Sequence, residues 1–211
     1  MNITFDEERH LYQIDGRDAV AVTKVIGSTI RKPQLEQWIG RLGNREAERV
    51  RDKAADHGTL VHELVGLIAD DTPSIPMGEH EAAQHQLDQF REWYEQTVEE
   101  VIAVELMVAH PKYLYAGRLD FLLRFRGDIR PTIVDIKSGS GVFPETRYQT
   151  IAYREALKFT SPESVKGGCR RGVLHLPAEG RAKFYEHKRH EADLQGFLSC
   201  LYLFHDLKRG I

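Results

Sequence analysis

The chain has 211 residues, 41% of them hydrophobic and 29% charged, a length that predicts one domain whose core needs neither disulfides nor a structural metal. A net charge of -3 and a pI near 6.4 exclude wholesale coating of nucleic acid, because that binding scales with the phosphates neutralised by Lys and Arg, and leave room for a local basic groove. Two cysteines, Cys169 and Cys200, cannot build a four-thiolate zinc or iron–sulfur site; with no apolar run of about 18 residues and no leader-like start, the expectation is a cytoplasmic protein with no membrane partner.

Residues 3–22 alternate apolar and polar positions (Ile3, Phe5, then Tyr12, Ile14) around Asp15-Gly16, a tight-turn dipeptide, and predict two or three short strands. Residues 35–53 have helical composition behind Pro33, with Gly40 and Gly43 dividing the helix. Within them Arg41, Arg45, Arg49 and Lys53 recur every four residues, either a basic stripe suited to a DNA backbone or a solvated face paired with Glu46, Glu48 and Asp52. A second helix is expected over 58–70, where Leu60, Val61, Leu64, Val65, Leu67 and Ile68 form one apolar arc and the run 71–76 ends it. A third, over 79–99, carries Leu87, Phe90, Trp93, Tyr94 and Val98 as core contacts. Strands follow at 101–108, 115–125 and 132–137, then a helix at 145–159, a hairpin at 172–185 across Glu179-Gly180, and a closing amphipathic helix at 191–208. With no repeat or linker, the pattern predicts a single α/β domain over 1–211 with a central mixed sheet flanked by helices. Residues 1–56 supply an N-terminal hairpin and helices, and 57–211 the core.

In the strand 132–137, Asp135 and Lys137 share a face about 7 Å apart, together with Ile133. A carboxylate and an ammonium there are either a solvated strand end with a weak ion pair or groups engaged by a ligand. Asp120 sits in the middle of the preceding strand, where Leu119, Phe121 and Leu123 should take the opposite face. An antiparallel neighbour would set Asp120 against Asp135, and two such carboxylates raise each other's pKa unless a cation lies between them. Oxygen ligation of that kind suits Mg²⁺ or Mn²⁺. His62 falls outside the apolar arc of its helix and is either an idle surface imidazole or a neutral ligand to the same cation. Gln149 and Tyr153, at i and i+4, share one helix face and could grip a phosphate or stack on a base. Ser138-Gly139-Ser140-Gly141 lacks a Walker-type ending and reads as a connector.

Taken in order, Gly58-Thr59-x-x-His62, Gly117-Arg118-Leu119-Asp120, Asp135-Ile136-Lys137 and Gln149-x-x-x-Tyr153 resemble the motifs of the PD-(D/E)xK nucleases of the RecB-like exonuclease group. The opening Leu11-Tyr12-Gln13-Ile14-Asp15-Gly16, followed by Val22-Thr23-Lys24-Val25, is similar to the start of phage-type and mitochondrial genome maintenance exonucleases. The resemblance implies a restriction-endonuclease-like core. It implies Asp120 and Asp135 as Mg²⁺ (or Mn²⁺) ligands, His62 and the Ile136 carbonyl as further ligands, and Glu105 as a corresponding acid. Lys137 would orient or activate the attacking water, and Gln149 and Tyr153 would position DNA. Several relatives carry a four-cysteine iron–sulfur cluster that this chain's cysteines cannot form. The implied activity is a Mg²⁺-dependent deoxyribonuclease, preferably an exonuclease, hydrolysing phosphodiesters by metal-activated water in DNA recombination, repair or phage DNA processing, with a recombination or replication protein as a partner. A structure-specific endonuclease on the same core and a non-catalytic DNA-binding module are the alternatives.

Overall fold

The computed structural model describes residues 1–69 and 81–209. The chain opens with three strands, β1 (Ile3–Asp6), β2 (Leu11–Ile14) and β3 (Arg17–Ala21). Asp15 and Gly16 turn β2 into β3 with φ of 48° and 78°, the left-handed pair that a tight hairpin requires. Three helices follow: α1 (Val22–Thr29), α2 (Pro33–Leu42) and α3 (Asn44–Ala69). After α4 (Gln84–Thr97) come the long strands β4 (Val98–His110) and β5 (Tyr115–Phe125), then β6 (Pro131–Lys137). Helix α5 (Thr146–Thr160) crosses to β7 (Arg170–His175), which pairs with β8 (Lys183–Glu186) before the closing helix α6 (His190–Arg209).

The strands form one mixed sheet in the order β1-β2-β3-β5-β6-β7-β8, with β4 also pairing β5. Both β3–β5 and β6–β7 are parallel, and the second pair is joined through α5, as a parallel connection demands. Each sheet face has its own core. Leu119, Leu122 and Ile133 pack with Val25 of α1, Ile151 of α5 and Phe197 of α6. Phe121, Leu123, Val134 and Ile136 pack with Val61 and Leu64 of α3 and Phe90 of α4.

Four expectations need correction. Helix α3 runs unbroken through Lys53 and Gly58: Gly43, with φ 82°, is the only glycine that divides the helical region, while Gly40 stays inside α2. Arg41 therefore lies on α2 while Arg45, Arg49 and Lys53 lie on α3, so the four do not form one helical stripe. Val22, expected at the end of a strand, instead starts α1, because Val22, Val25 and Ile26 bury together at helical spacing and tertiary packing outweighs the β preference of their branched side chains. Val98 starts β4 rather than ending a helix. The breaker run 71–76 and the start at 79 lie outside the described residues. No helix among the described residues is long and apolar enough to cross a membrane.

Candidate active site

The second edge of β5 is shared by two strands. Its ladder with β3 ends at Ala21↔Ala116 and its ladder with β6 begins at Phe121↔Val134, so Gly117–Asp120 spans an opening in the sheet. By register, Asp135 would stand opposite Asp120 one rung beyond the β6 ladder. The sheet closes there through a side chain instead: the Ile136 backbone N–H donates to Asp120 Oδ2 at 2.6 Å.

Strand alternation breaks at the same place. Leu119 and Leu106 bury in the α5/α6 core, whereas Phe121 and Val104 bury in the α3/α4 core. Residues two apart in a regular strand share a face, so both strands turn over at the intervening rung, Glu105 beside Asp120. This contradicts the expectation that Leu119, Phe121 and Leu123 share a face. Glu105 takes φ 50°, a backbone conformation costing about 1–3 kcal/mol for a residue with a side chain. The turn brings both acids toward α3, where ligand atoms of His62, Glu105 and Asp120 lie within 4.8 Å of one another. They line a cleft of about 800 Å³ with Gly58, Thr59 and Arg118.

The donor set fits a divalent cation. His62 Nε2 sits 3.1 Å from the Ile136 carbonyl, which can only accept, so Nε2 donates there and Nδ1 is the nitrogen left to offer a lone pair to a cation. Nδ1 is 3.6 Å from Asp120 Oδ2, beyond a direct hydrogen bond. The Ile136 carbonyl thus orients the imidazole, a support that metal-binding histidines commonly have. Burial and then Asp135 push the Asp120 carboxyl above its ordinary range, and burial and then Asp120 do the same to Glu105. A cation between them relieves that repulsion.

Asp135 and Lys137 occupy the other side of the opening. Asp135, 1% exposed, accepts a hydrogen bond at Oδ1 from Gln149 Nε2 at 2.8 Å, and that amide also donates to the Tyr153 hydroxyl at 3.2 Å. Lys137 Nζ lies 2.7 Å from Asp135 Oδ2 and is its counter-ion. Burial opposes the Lys137 charge, yet Asp135 and Asp120 outweigh it and hold the ammonium above its ordinary value. Tyr153 is buried beneath Gly117, where a methyl group would meet its Cε1 at 2.5 Å. Its ring is therefore closed to stacking on a base. Sequence reasoning passed over Gly117 and Arg118 as site residues, although both stand inside the Gly117-Arg118-Leu119-Asp120 motif; the signal available was a second charge beside a mid-strand acid. Of the basic residues, Arg49 is held by Glu46 at 2.9 Å, and Arg45 lies beside it on an exposed stretch of α3.

A sequence model of the PD-(D/E)XK nuclease superfamily matches residues 34–202. The chain belongs to that superfamily. Its members use divalent metal ions on DNA, and His62, Glu105 and Asp120 supply a donor set for such an ion here. No curated protein sequence matches the chain. Among solved structures it is similar to a protein provisionally designated an exonuclease from Eubacterium rectale, at 9% identity and a TM-score of 0.44, over 70% of this chain and 64% of that one. It is also similar to an alkaline exonuclease from Laribacter hongkongensis, at 14% identity and a TM-score of 0.38, over 90% of this chain and 92% of that one. The chain thus spans less than two thirds of the first of these structures.

Proposed function

We propose that the chain is a divalent-metal-dependent DNA exonuclease, working as one domain over 1–211 in recombination, repair or phage DNA processing. The observation that carries this reading is the opening in β5, where His62, Glu105 and Asp120 converge beside the Asp135–Lys137 pair in a chain of a nuclease family. Mg²⁺ or Mn²⁺ held by His62 Nδ1, Glu105 and Asp120 would neutralise charge developing on the phosphate oxygens and lower the pKa of water toward neutrality.

The remaining work falls to side chains on the other side of the opening. Lys137 stays protonated and so enters as a donor, orienting water or a phosphate oxygen rather than removing a proton. Asp135 fixes that ammonium, and Gln149 and Tyr153 fix Asp135 through α5, so they act as positioning residues. A purely DNA-binding module has no use for neighbouring carboxylates beside a half-exposed ammonium, since burying charge costs stability. The preference for DNA ends rests on the order of the four motifs, which resembles the RecB-like exonucleases.

Digestion of linear and covalently closed circular DNA side by side in Mg²⁺ tests this reading. Loss of the linear form with the circle intact is expected. Nicking or linearisation of the circle at the same rate would make the enzyme an endonuclease, and no cleavage of either would leave a binding module.

A further inference from the structure

Arg118 lines the cleft with the three candidate ligands, and its bonding is unlike that of its neighbours. Its Nη1 stands 3.7 Å from Glu105 Oε2, with the two side chains 41% and 48% exposed. On the same pair of strands, Arg124 and Glu100 are 41% and 49% exposed and close to 2.8 Å. Exposure is alike, but Glu100 and Arg124 are direct register partners, whereas Arg118 pairs with Met107 and reaches Glu105 only diagonally, so at the cleft the guanidinium meets its carboxylate loosely. The guanidinium lies over the Phe5 ring of the N-terminal hairpin at 5.8 Å, which holds its head at the cleft while leaving N–H donors to spare.

We propose that Arg118 is a phosphate-binding residue occupied by Glu105 until a divalent cation takes that carboxylate, so that cation entry and DNA capture are coupled. The inference rests on the nuclease reading and adds to it a route by which the cation prepares the cleft for substrate. In the empty cleft the guanidinium shares Glu105 with any incoming cation and repels it as a like charge. Once the cation holds Glu105, the Arg118 guanidinium has lost its counter-ion, and a phosphate presents two oxygens in the bidentate geometry that a guanidinium matches. Arg118 thus opposes cation binding in free protein and supports DNA binding in loaded protein. By linkage, the cation raises DNA affinity more in the wild type than in a variant lacking the guanidinium.

The test compares wild type, Arg118→Ala and, as a matched control, Arg124→Ala. Titration calorimetry with Mn²⁺ alone reads cation affinity, and anisotropy of a short fluorescein-labelled phosphorothioate duplex, with and without Mn²⁺, reads DNA affinity. Arg118→Ala should bind Mn²⁺ at least about 3-fold tighter, because a like charge and a competitor for Glu105 are gone. With Mn²⁺ present it should bind the duplex at least about 5-fold more weakly, with a salt slope smaller by about 1. Without Mn²⁺ the two proteins should agree within about 2-fold, and Arg124→Ala should match wild type throughout. Unchanged or weaker Mn²⁺ binding in Arg118→Ala, an equal DNA loss with and without Mn²⁺, or the same pattern in Arg124→Ala would overturn the coupling while leaving the nuclease reading in place. A wild type that binds neither Mn²⁺ nor duplex would overturn the nuclease reading and the coupling with it.

Discussion

Gly117 shows how narrowly the site is set. A methyl group there would lie 2.5 Å from Tyr153 Cε1, and that ring shares the Gln149 amide with Asp135. Gly117→Ala should destabilise the fold by roughly 1–3 kcal/mol, as overpacking does, and slow cleavage by displacing Asp135 through Tyr153 and Gln149. Urea unfolding beside a single-turnover assay checks this; a variant as stable and as fast as wild type would remove the packing from the account. Lys137 belongs to the same chain of contacts, and the role proposed for its ammonium is an interaction made mainly in the transition state, which would appear in kcat rather than KM. Lys137→Ala should keep DNA binding within a few-fold yet slow cleavage by at least about 10²-fold. Lys137→Arg should rescue little, since a planar guanidinium places its donors differently. A near-normal rate for Lys137→Ala would reduce the Asp135–Lys137 contact to a structural ion pair.

Helix α5 brings Gln149 and Tyr153 to the opening and is itself anchored by a buried network. Arg171, fully buried in β7, donates to the Arg147 carbonyl at 2.9 Å and the Thr150 hydroxyl at 3.0 Å, and pairs with Asp193 of α6 at 2.5 Å. His187 Nδ1 meets the same Thr150 hydroxyl at 2.9 Å. Burial, then the Arg171 charge, depress the His187 pKa from 6.5 to about 4. Above pH 6.5 the imidazole is neutral in both folded and unfolded chains; below it the unfolded chain takes the proton first. Its contribution is therefore complete above that pH and lost as the pH falls toward about 4. Urea unfolding between pH 7 and 4.5 should show stability falling with acid, and falling less in His187→Gln. An equal fall in both proteins would mean that His187 titrates freely. Such anchoring was invisible in the sequence, because nothing in Arg170-Arg171 separates a buried arginine from a surface one. The bounds of the strand 115–125, by contrast, were legible to the residue, although its facing was not, because the alternation reverses at Asp120. The division of α3 at 53–58 was misread because a glycine in a helix costs only about 1 kcal/mol, a sum that the buried Val61, Leu64 and Val65 outweigh.

Across the whole molecule, the site is a consequence of topology. Strands β3 and β6 divide one edge of β5 between them, and the residues left over carry Gly117, Arg118 and Asp120. The N-terminal hairpin frames this opening through β3, and it also supplies the Phe5 ring beneath Arg118. The motifs in the sequence named Asp120, Asp135, Lys137, His62, Gln149 and Tyr153 as one group. The structure separates them into a His62–Glu105–Asp120 set facing α3 and an Asp135–Lys137–Gln149–Tyr153 set facing α5. Strand periodicity could not reveal that division, since it depends on the reversed rung at Glu105 and Asp120. The most direct test of the account is single-turnover cleavage of a linear duplex by wild type and Asp120→Asn, in Mg²⁺ and in EDTA. The account predicts cleavage by wild type in Mg²⁺, none in EDTA, and a rate at least about 10²-fold lower for Asp120→Asn, the scale of losing a group that stabilises developing charge. Undiminished cleavage in EDTA, or a near-normal rate for Asp120→Asn in Mg²⁺, would contradict it.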